Sequence, residues 1–373
     1  MAKVWKCASL CKGLRLPVLQ APMAGVSTPR LVAAASESGI VGFHGASFRS
    51  AQLLQEDIGK IRQLTSRPFG VNLFVIDEEN VQRKEVSETR KSNAKHCLAP
   101  FYRELGLDPP IVTDDEKILG SFDEQFEVVL NEKVEFFSFC FGVLESERIR
   151  QLQKNGTIVL GTATSVAEAI ALEESGVDAI IAQGADAGGH RGSFLEDSTL
   201  IGTFSLVPQI VRNVSKPVVA AGGIMDGQGI AAALCLGATA AQIGTAFVTC
   251  QESEVSPLYK NRLLTAKDTD TCITSVFSGR PARGLMNRLV QDYNEGCESS
   301  VSQKILQQSK HIAPYPFQMA LTNPLKKESL RREMTDLSSM WCGQGVSMCS
   351  DQKVSQLVEK WELELEEQNK VCS

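Results

Sequence analysis

Chemistry in this chain concentrates in one segment, Gln183-Gly184-Ala185-Asp186-Ala187-Gly188-Gly189-His190-Arg191-Gly192. Two adjacent glycines, a histidine and a further glycine make a poor helix and a poor strand, so the segment reads as a loop. An imidazole with an ordinary pKa of about 6.5 can take or give a proton near neutrality. In such a loop, His190 reads as a catalytic or substrate-contacting group. Asp186 reads as a residue that orients the loop or a helix. Two more glycine turns stand out, Ala221-Gly222-Gly223-Ile224 and Gln242-Ile243-Gly244-Thr245-Ala246. Glycine lets a backbone approach a ligand closely, and exposed N–H groups at a helix start favour a phosphate. Each turn alone is equally a plain tight turn; the two together point to phosphate. In Ala21-Pro22-Met23-Ala24-Gly25, main chain and thioether could bed a flat ring, or Met23 is simply a buried strand residue. Asn72, in Gly70-Val71-Asn72-Leu73-Phe74, is polar within an apolar run and must find a partner, a ligand edge or a neighbouring loop.

Other chemistries find less support. His44 reads as a structural histidine, His96 as solvated, and His311 precedes Tyr315-Pro316. No histidine lies in an HExxH pattern, no Ser-His-Asp order stands out, and no metal site is expected. No GxGxxG follows a strand, so no Rossmann nicotinamide site is indicated. Eleven cysteines, an odd number without a CxxC pair, read as free thiols in a reducing compartment. A net charge of −6 offers no basic surplus for nucleic acid or an anionic membrane. No apolar run approaches the roughly 18 residues of a membrane span. The basic N-terminus lacks the apolar core of a secretory signal and resembles an organelle transit peptide only weakly, with little to cleave before the first strand; a cytoplasmic protein is expected, with organelle targeting left open.

The elements that must position these residues repeat. Eight short apolar runs occur at 14–23, 39–47, 68–75, 134–142, 157–164, 179–184, 217–223 and 240–248. Helical patterns lie between them. One opens at Pro29 after Ser27-Thr28. One spans Ser165 to Glu174, with Ser165 and Glu168 as a capping box and Gly176 as its end. One spans Asp226 to Leu236 and ends at Gly237. Strands alternating with helices indicate parallel βαβ units, and the last runs are apolar enough to be buried on both faces. The expected architecture is an α/β fold, a (β/α)8 barrel with its unusual residues at the C-terminal strand ends, where barrels carry their sites. A doubly wound open sheet is the alternative. Residues 1–250 are assigned to the barrel, with an insertion at 78–130 forming helices or a lid. Residues 251–373 are assigned to a helical extension packed on the barrel, in one catalytic unit.

APMAGVSTPRLVAAASESG, GVNLFV, AQGADAGGHRG, PVVAAGGI and QIGTAF together resemble the nitronate monooxygenases, formerly called 2-nitropropane dioxygenases. The resemblance runs from about Leu16 to Ala246. It continues through Ser278-Gly279-Arg280-Pro281-Ala282-Arg283-Gly284, Tyr315-Pro316 and Trp341-Cys342-Gly343-Gln344-Gly345, which are similar to the class I branch. It implies non-covalent FMN and oxidation of alkyl nitronates, propionate 3-nitronate foremost, by dioxygen to a carbonyl compound and nitrite. By motif, FMN contacts would be Met23, Asn72, Gln183, Gly188, Gly222, Gln242, Ile243, Gly244 and Thr245. His190 would take a proton from a neutral nitroalkane or contact the nitro group of a nitronate. A protonated His190, with Arg191 or Tyr315, would hold the anion. Cys140 stands where many class I members carry histidine. It is expected to bear on substrate binding as a structural thiol, without acting as a nucleophile. The rival readings are an NAD(P)H-dependent flavin reductase of the quinone or enoyl-acyl-carrier-protein type, and a non-catalytic barrel binding FMN or another phosphate ligand.

Overall fold

A computed structural model describes residues 9–75, 88–111, 120–195, 200–295 and 311–371. Each of the eight apolar runs contributes a parallel strand. These are β1 (Val18–Gln20), β2 (Val41–Gly45), β3 (Phe69–Phe74), β4 (Phe136–Cys140), β5 (Ile158–Ala163), β6 (Ala179–Gln183), β8 (Val218–Ala221) and β9 (Ala240–Ile243). They close in that order into a barrel, β9 pairing with β1 through Val18–Ala241, Leu19–Gln242 and Gln20–Ile243. The fold is therefore the (β/α)8 barrel, and the open-sheet alternative falls. Some runs are longer than their strands for local reasons. Pro17 and Pro22, which cannot donate to a ladder, flank β1. The apolar stretch after Ile243 turns at Gly244 into the short helix Thr245–Val248.

The helices start and stop largely where their side chains dictate. Ser165 accepts from the Glu168 N–H (3.2 Å), and Gly176 ends the helix Val166–Ser175 in the left-handed region. Asp226 accepts from the Gly229 N–H (2.8 Å) at the start of Gly227–Cys235. The helix Pro29–Glu37 differs: Thr28 at its N-cap makes no side-chain cap. Ser27 is diverted to the loop after β1, where its hydroxyl donates to the Met23 carbonyl (2.9 Å) and accepts from the N–H groups of Met23 (2.8 Å) and Gly45 (3.1 Å).

Two regions lie outside the simple repeat. Within 78–130, the helix Glu88–Leu105 packs against the tail helix Phe317–Arg331. The helix Phe122–Glu132 packs on β3 and on Ala51–Leu64, so it is the barrel's own crossover from β3 to β4. The tail is not purely helical, which corrects that expectation. The strands β10 (Thr271–Thr274) and β11 (Ala282–Leu285) form an antiparallel sheet with β7 (Gly189–His190). The glycine-rich loop exposes an unpaired edge, and β11 satisfies it. The last helix, Val354–Val371, packs between Gly227–Cys235 and Pro29–Glu37 and takes the eighth place in the outer ring. Its Trp361 is fully buried and donates through Nε1 to the Met225 carbonyl (3.0 Å).

Three apolar clusters result. One fills the barrel interior with Leu19, Val41, Phe43, Leu160, Ile181 and Val219, and includes Leu10 and Cys11 from the N-terminal segment. A second lies between sheet and helices. The third binds the helix Glu88–Leu105 to the tail through Leu98, Phe101, Leu289, Phe317 and Leu321. Among the described residues no helix is long and apolar enough to cross a membrane.

Candidate active site

The loop after β6 is braced from within. Gln183 projects from the end of β6; its Oε1 accepts from the Gly192 N–H (2.8 Å) and Arg191 Nη1 (3.3 Å), and its Nε2 donates to the His190 carbonyl (3.1 Å). Arg191 is buried and donates through Nη1 to the carbonyls of Gln183 (3.0 Å) and Gly184 (2.7 Å). Burial lowers its pKa to about 10, with Glu168 acting in the opposite sense. Arg191 thus stiffens the loop from behind and is not among the residues lining the pocket below, contrary to its expected place beside the substrate. Buried Glu168 accepts from the N–H groups of Phe194 (2.6 Å), Leu195 (3.0 Å) and Thr164 (2.6 Å), tying the loop to the end of β5. Asp186 accepts from the Thr203 N–H (2.6 Å) and so orients the helix Thr203–Asn213, as its sequence context suggested.

These braces hold His190 in β7, where Ala282 is its partner on β11. Its Nε2 lies 2.9 Å from Ser278 Oγ. The ring is walled by Phe141 (6.1 Å between centroids), Tyr315 (6.0 Å) and Trp341 (5.5 Å). Phe141 sits at φ 78°, uncommon for a bulky residue, and its ring lies 4.0 Å beneath the Arg280 guanidinium. Burial, then the charges of Arg280 and Lys326, push the His190 pKa down to about 3. Both effects favour the neutral imidazole over the imidazolium expected to hold the substrate. The charges acting on it are both cationic, a field that favours an anion.

Met23, Asn72, Cys140, Gln183, Gly188, His190, Gly222, Gln242, Gly244 and Thr245 line one cavity at the C-terminal mouth of the barrel. It encloses about 1270 Å³ not filled by protein atoms, its open mouth included. Asn72 is 5% exposed and donates through Nδ2 to Ser138 Oγ (2.9 Å), which leaves its carbonyl oxygen for the cavity. Gln242 Oε1 is buried without a partner. Cys140 ends β4, and burial raises its thiol to about 12 against the opposing charge of Arg280. Gly188 is required by the tail: a Cβ there would sit 2.5 Å from the Cys342 carbonyl carbon. Gly222 lies at φ 117°, accessible only to glycine, and a Cβ would meet the Ala187 nitrogen at 2.8 Å.

Two expected residues stand apart. Ile243 is 1% exposed, with its side chain in the layer between sheet and helices, so only its main chain faces the β1 loop; its carbonyl accepts from the Ala21 N–H (2.7 Å). Tyr315 does not line the cavity but backs His190, with its hydroxyl buried and unpartnered and its pKa raised by burial. His44 is buried against Asp57 (3.3 Å) and the Ser27 carbonyl (2.7 Å), as a structural histidine is. His96 is exposed. Sequence reasoning missed Phe74, Phe141, Thr162 and Tyr259 in the lining, and the roles of Trp341 and Gly343. The segment holding Trp341 and Gly343 is laid across the mouth by hydrogen bonds from the Gly343 N–H to Thr245 Oγ1 (2.9 Å), from the Gln344 N–H to the Asp186 carbonyl (3.0 Å) and from Tyr259 Oη to the Trp341 carbonyl (2.7 Å).

The family model described as nitronate monooxygenase matches residues 9–364. A probable nitronate monooxygenase of Staphylococcus haemolyticus is 41% identical over 351 residues, covering 93% of each chain. Among solved structures, the nitroalkane oxidase of Streptomyces ansochromogenes superposes with a TM-score of 0.86 at 36% identity, over 98% of this chain and 100% of that one. FabK from Thermotoga maritima does so with a TM-score of 0.71 at 29% identity, over 97% of this chain and 96% of that one. The family match spans both the barrel and the tail that closes over its mouth, and on that ground the chain belongs to the nitronate monooxygenase family of oxidoreductases.

Proposed function

We propose that the cavity binds FMN without covalent attachment and that the protein oxidises alkyl nitronates, propionate 3-nitronate foremost, with dioxygen to a carbonyl compound and nitrite. The observation that carries this reading is a convergence: three amide side chains, two glycine turns and His190 meet on one cavity in a chain of this family. The residues present fit the cofactor. Gln242 Oε1, buried without a partner, calls for a ligand donor. A Cβ at position 244 would approach Met23 Sδ to 3.4 Å and Ala21 Cβ to 3.3 Å, narrowing the bed a flat ring needs. The turn at Gly222-Gly223 and the first turn of Thr245–Val248 offer backbone N–H groups suited to a phosphate. Met23, Asn72, Gln183, Gly188, Gly222, Gln242, Gly244 and Thr245 would hold FMN, with Ile243 contributing main chain only.

When bound, FMN supplies the electron-accepting and oxygen-reacting chemistry. The protein's part is to bind, orient and exclude water. The cationic field of Arg280 and Lys326 draws the nitronate in. His190, with Cys140 and Tyr315 beside it, meets the substrate's nitro end. A nitronate has already lost its α-proton, so the neutral imidazole is needed as a base only for a nitroalkane. Replacing His190 by asparagine should therefore lower kcat/KM for neutral nitroethane by about 100-fold or more and that for ethylnitronate by much less. Oxygen consumption and nitrite release measure both; equal losses would remove the base assignment. The likeness to FabK supports the reductase alternative. NADH and NADPH turnover by the yellow protein decides between the two.

A further inference from the structure

The proton inventory around Ser278 carries an inference about which nitrogen of His190 does chemistry. Ser278 is 2% exposed, and its hydroxyl has three partners. It donates to the Arg280 carbonyl (3.1 Å), accepts from the Arg280 N–H (3.3 Å), and lies 2.9 Å from His190 Nε2. A hydroxyl has one proton and two lone pairs. The main-chain N–H can only donate and the carbonyl can only accept. With the serine proton given to the carbonyl, both remaining places are acceptor sites, so all three contacts are satisfied only if Nε2 carries a proton.

We propose that Ser278 is a positioning residue that fixes His190 in the Nε2–H form and leaves the lone pair on Nδ1 as the base toward substrate. This rests on the proposed function for its chemistry but not for its proton assignment. In the step it serves, the Cα–H bond of a neutral nitroalkane breaks and a bond from that hydrogen to Nδ1 forms. The C–H electron pair moves onto the nitro group, giving the nitronate. The imidazolium so formed keeps its Nε2–H on Ser278 throughout, so the ring does not rotate between the two states. Among the described residues, the other charged or titratable groups around the ring do not compete for Nε2. Arg280, on the loop before β11, and Lys326, on Phe317–Arg331, act as cations; the Cys140 thiol and Tyr315 hydroxyl are held protonated by burial.

The test is a long-range ¹H–¹⁵N correlation spectrum of ¹⁵N-histidine-labelled holoprotein at pH 7, with the His190→Asn spectrum assigning the signal. A protonated Nε2 and an unprotonated Nδ1 are expected, and a mixture of the two forms in Ser278→Ala. Kinetically, Ser278→Ala should lose about tenfold more kcat/KM on nitroethane than on ethylnitronate, and Ser278→Thr, which keeps the hydroxyl, should recover most of that loss. A protonated Nδ1 in the native protein would overturn the proposal. So would Ser278→Ala with an unchanged tautomer or equal losses on both substrates. A native protein inactive on both substrates would remove the proposed function instead, and the spectrum would still decide the tautomer.

Discussion

At the scale of single residues, the same loop gives neighbouring side chains opposite tasks. His190 faces the cavity, where burial favours its neutral form; Arg191, the next residue, is turned inward onto the carbonyls of Gln183 and Gly184. Burial separates their roles more than residue type does. Cys140 is a similar case. Its thiol, raised to about 12, leaves about one molecule in ten thousand as thiolate at pH 8. Iodoacetamide at that pH should leave Cys140 unlabelled in the folded protein and label it after unfolding, as peptide mass analysis would record; rapid labelling of the native form would contradict its structural role. Much of this level was legible in the sequence, because a glycine, an amide or a histidine at the end of an apolar strand is conspicuous. Ser278 and Phe141 were not. Ser278 lies 88 positions from His190, and nothing local to either announces the contact. Phe141 looks like one more apolar strand residue until its backbone turns left-handed.

At the scale of elements, the tail acts as part of the mouth. β11 pairs with β7 and so fixes His190, while Trp341 to Gly345 crosses between the loops after β6 and β9. A Cβ on Gly343 would stand 2.6 Å from the Asp186 carbonyl oxygen and 3.1 Å from the Gly188 nitrogen. Neither backbone can yield easily. Gly343→Ala is therefore predicted to push the crossing segment off Thr245 and weaken FMN binding by about tenfold, the scale of one lost hydrogen bond with some strain. Fluorescence titration of FMN into the apoprotein measures it, and an unchanged affinity would contradict the clamp. The barrel strands were readable from period and caps. The sheet of β7, β10 and β11 was not, because a two-residue strand has no periodicity and its pairing is made by a partner nearly a hundred residues away.

At the scale of the whole molecule, the barrel closes only when the chain returns. The helix Val354–Val371 fills the last place in the ring, and Trp361 seats it against Phe247 (5.4 Å between centroids) and the Met225 carbonyl. Trp361→Ala should cost about 3–5 kcal/mol of stability by urea denaturation; a loss below about 1 kcal/mol would mean the helix is an appendage. A helical extension was visible in the sequence, but the place of its last helix in the barrel was not, since more than a hundred residues separate that helix from β9. His190 also links stability to acidity. Its folded pKa lies near 3, below the ordinary value of about 6.5, so the unfolded chain takes up a proton that the folded protein refuses. That contribution is complete above about pH 6.5 and is lost as pH falls toward 3. Between pH 7 and 4.5 the native Tm should fall more steeply than that of His190→Asn; parallel slopes would show that His190 is not held neutral.

Nitronate oxidation at an FMN site is the central proposal, and anaerobic mixing tests it most directly. Purified protein supplied with FMN is mixed with propionate 3-nitronate in one experiment and with NADH in another, and the flavin absorbance is followed. The predicted result is prompt loss of the oxidised band with the nitronate and none with NADH. Bleaching by NADH alone would contradict the account in favour of a reductase, and protein that purifies without flavin and takes up none would remove the cofactor on which the reading depends.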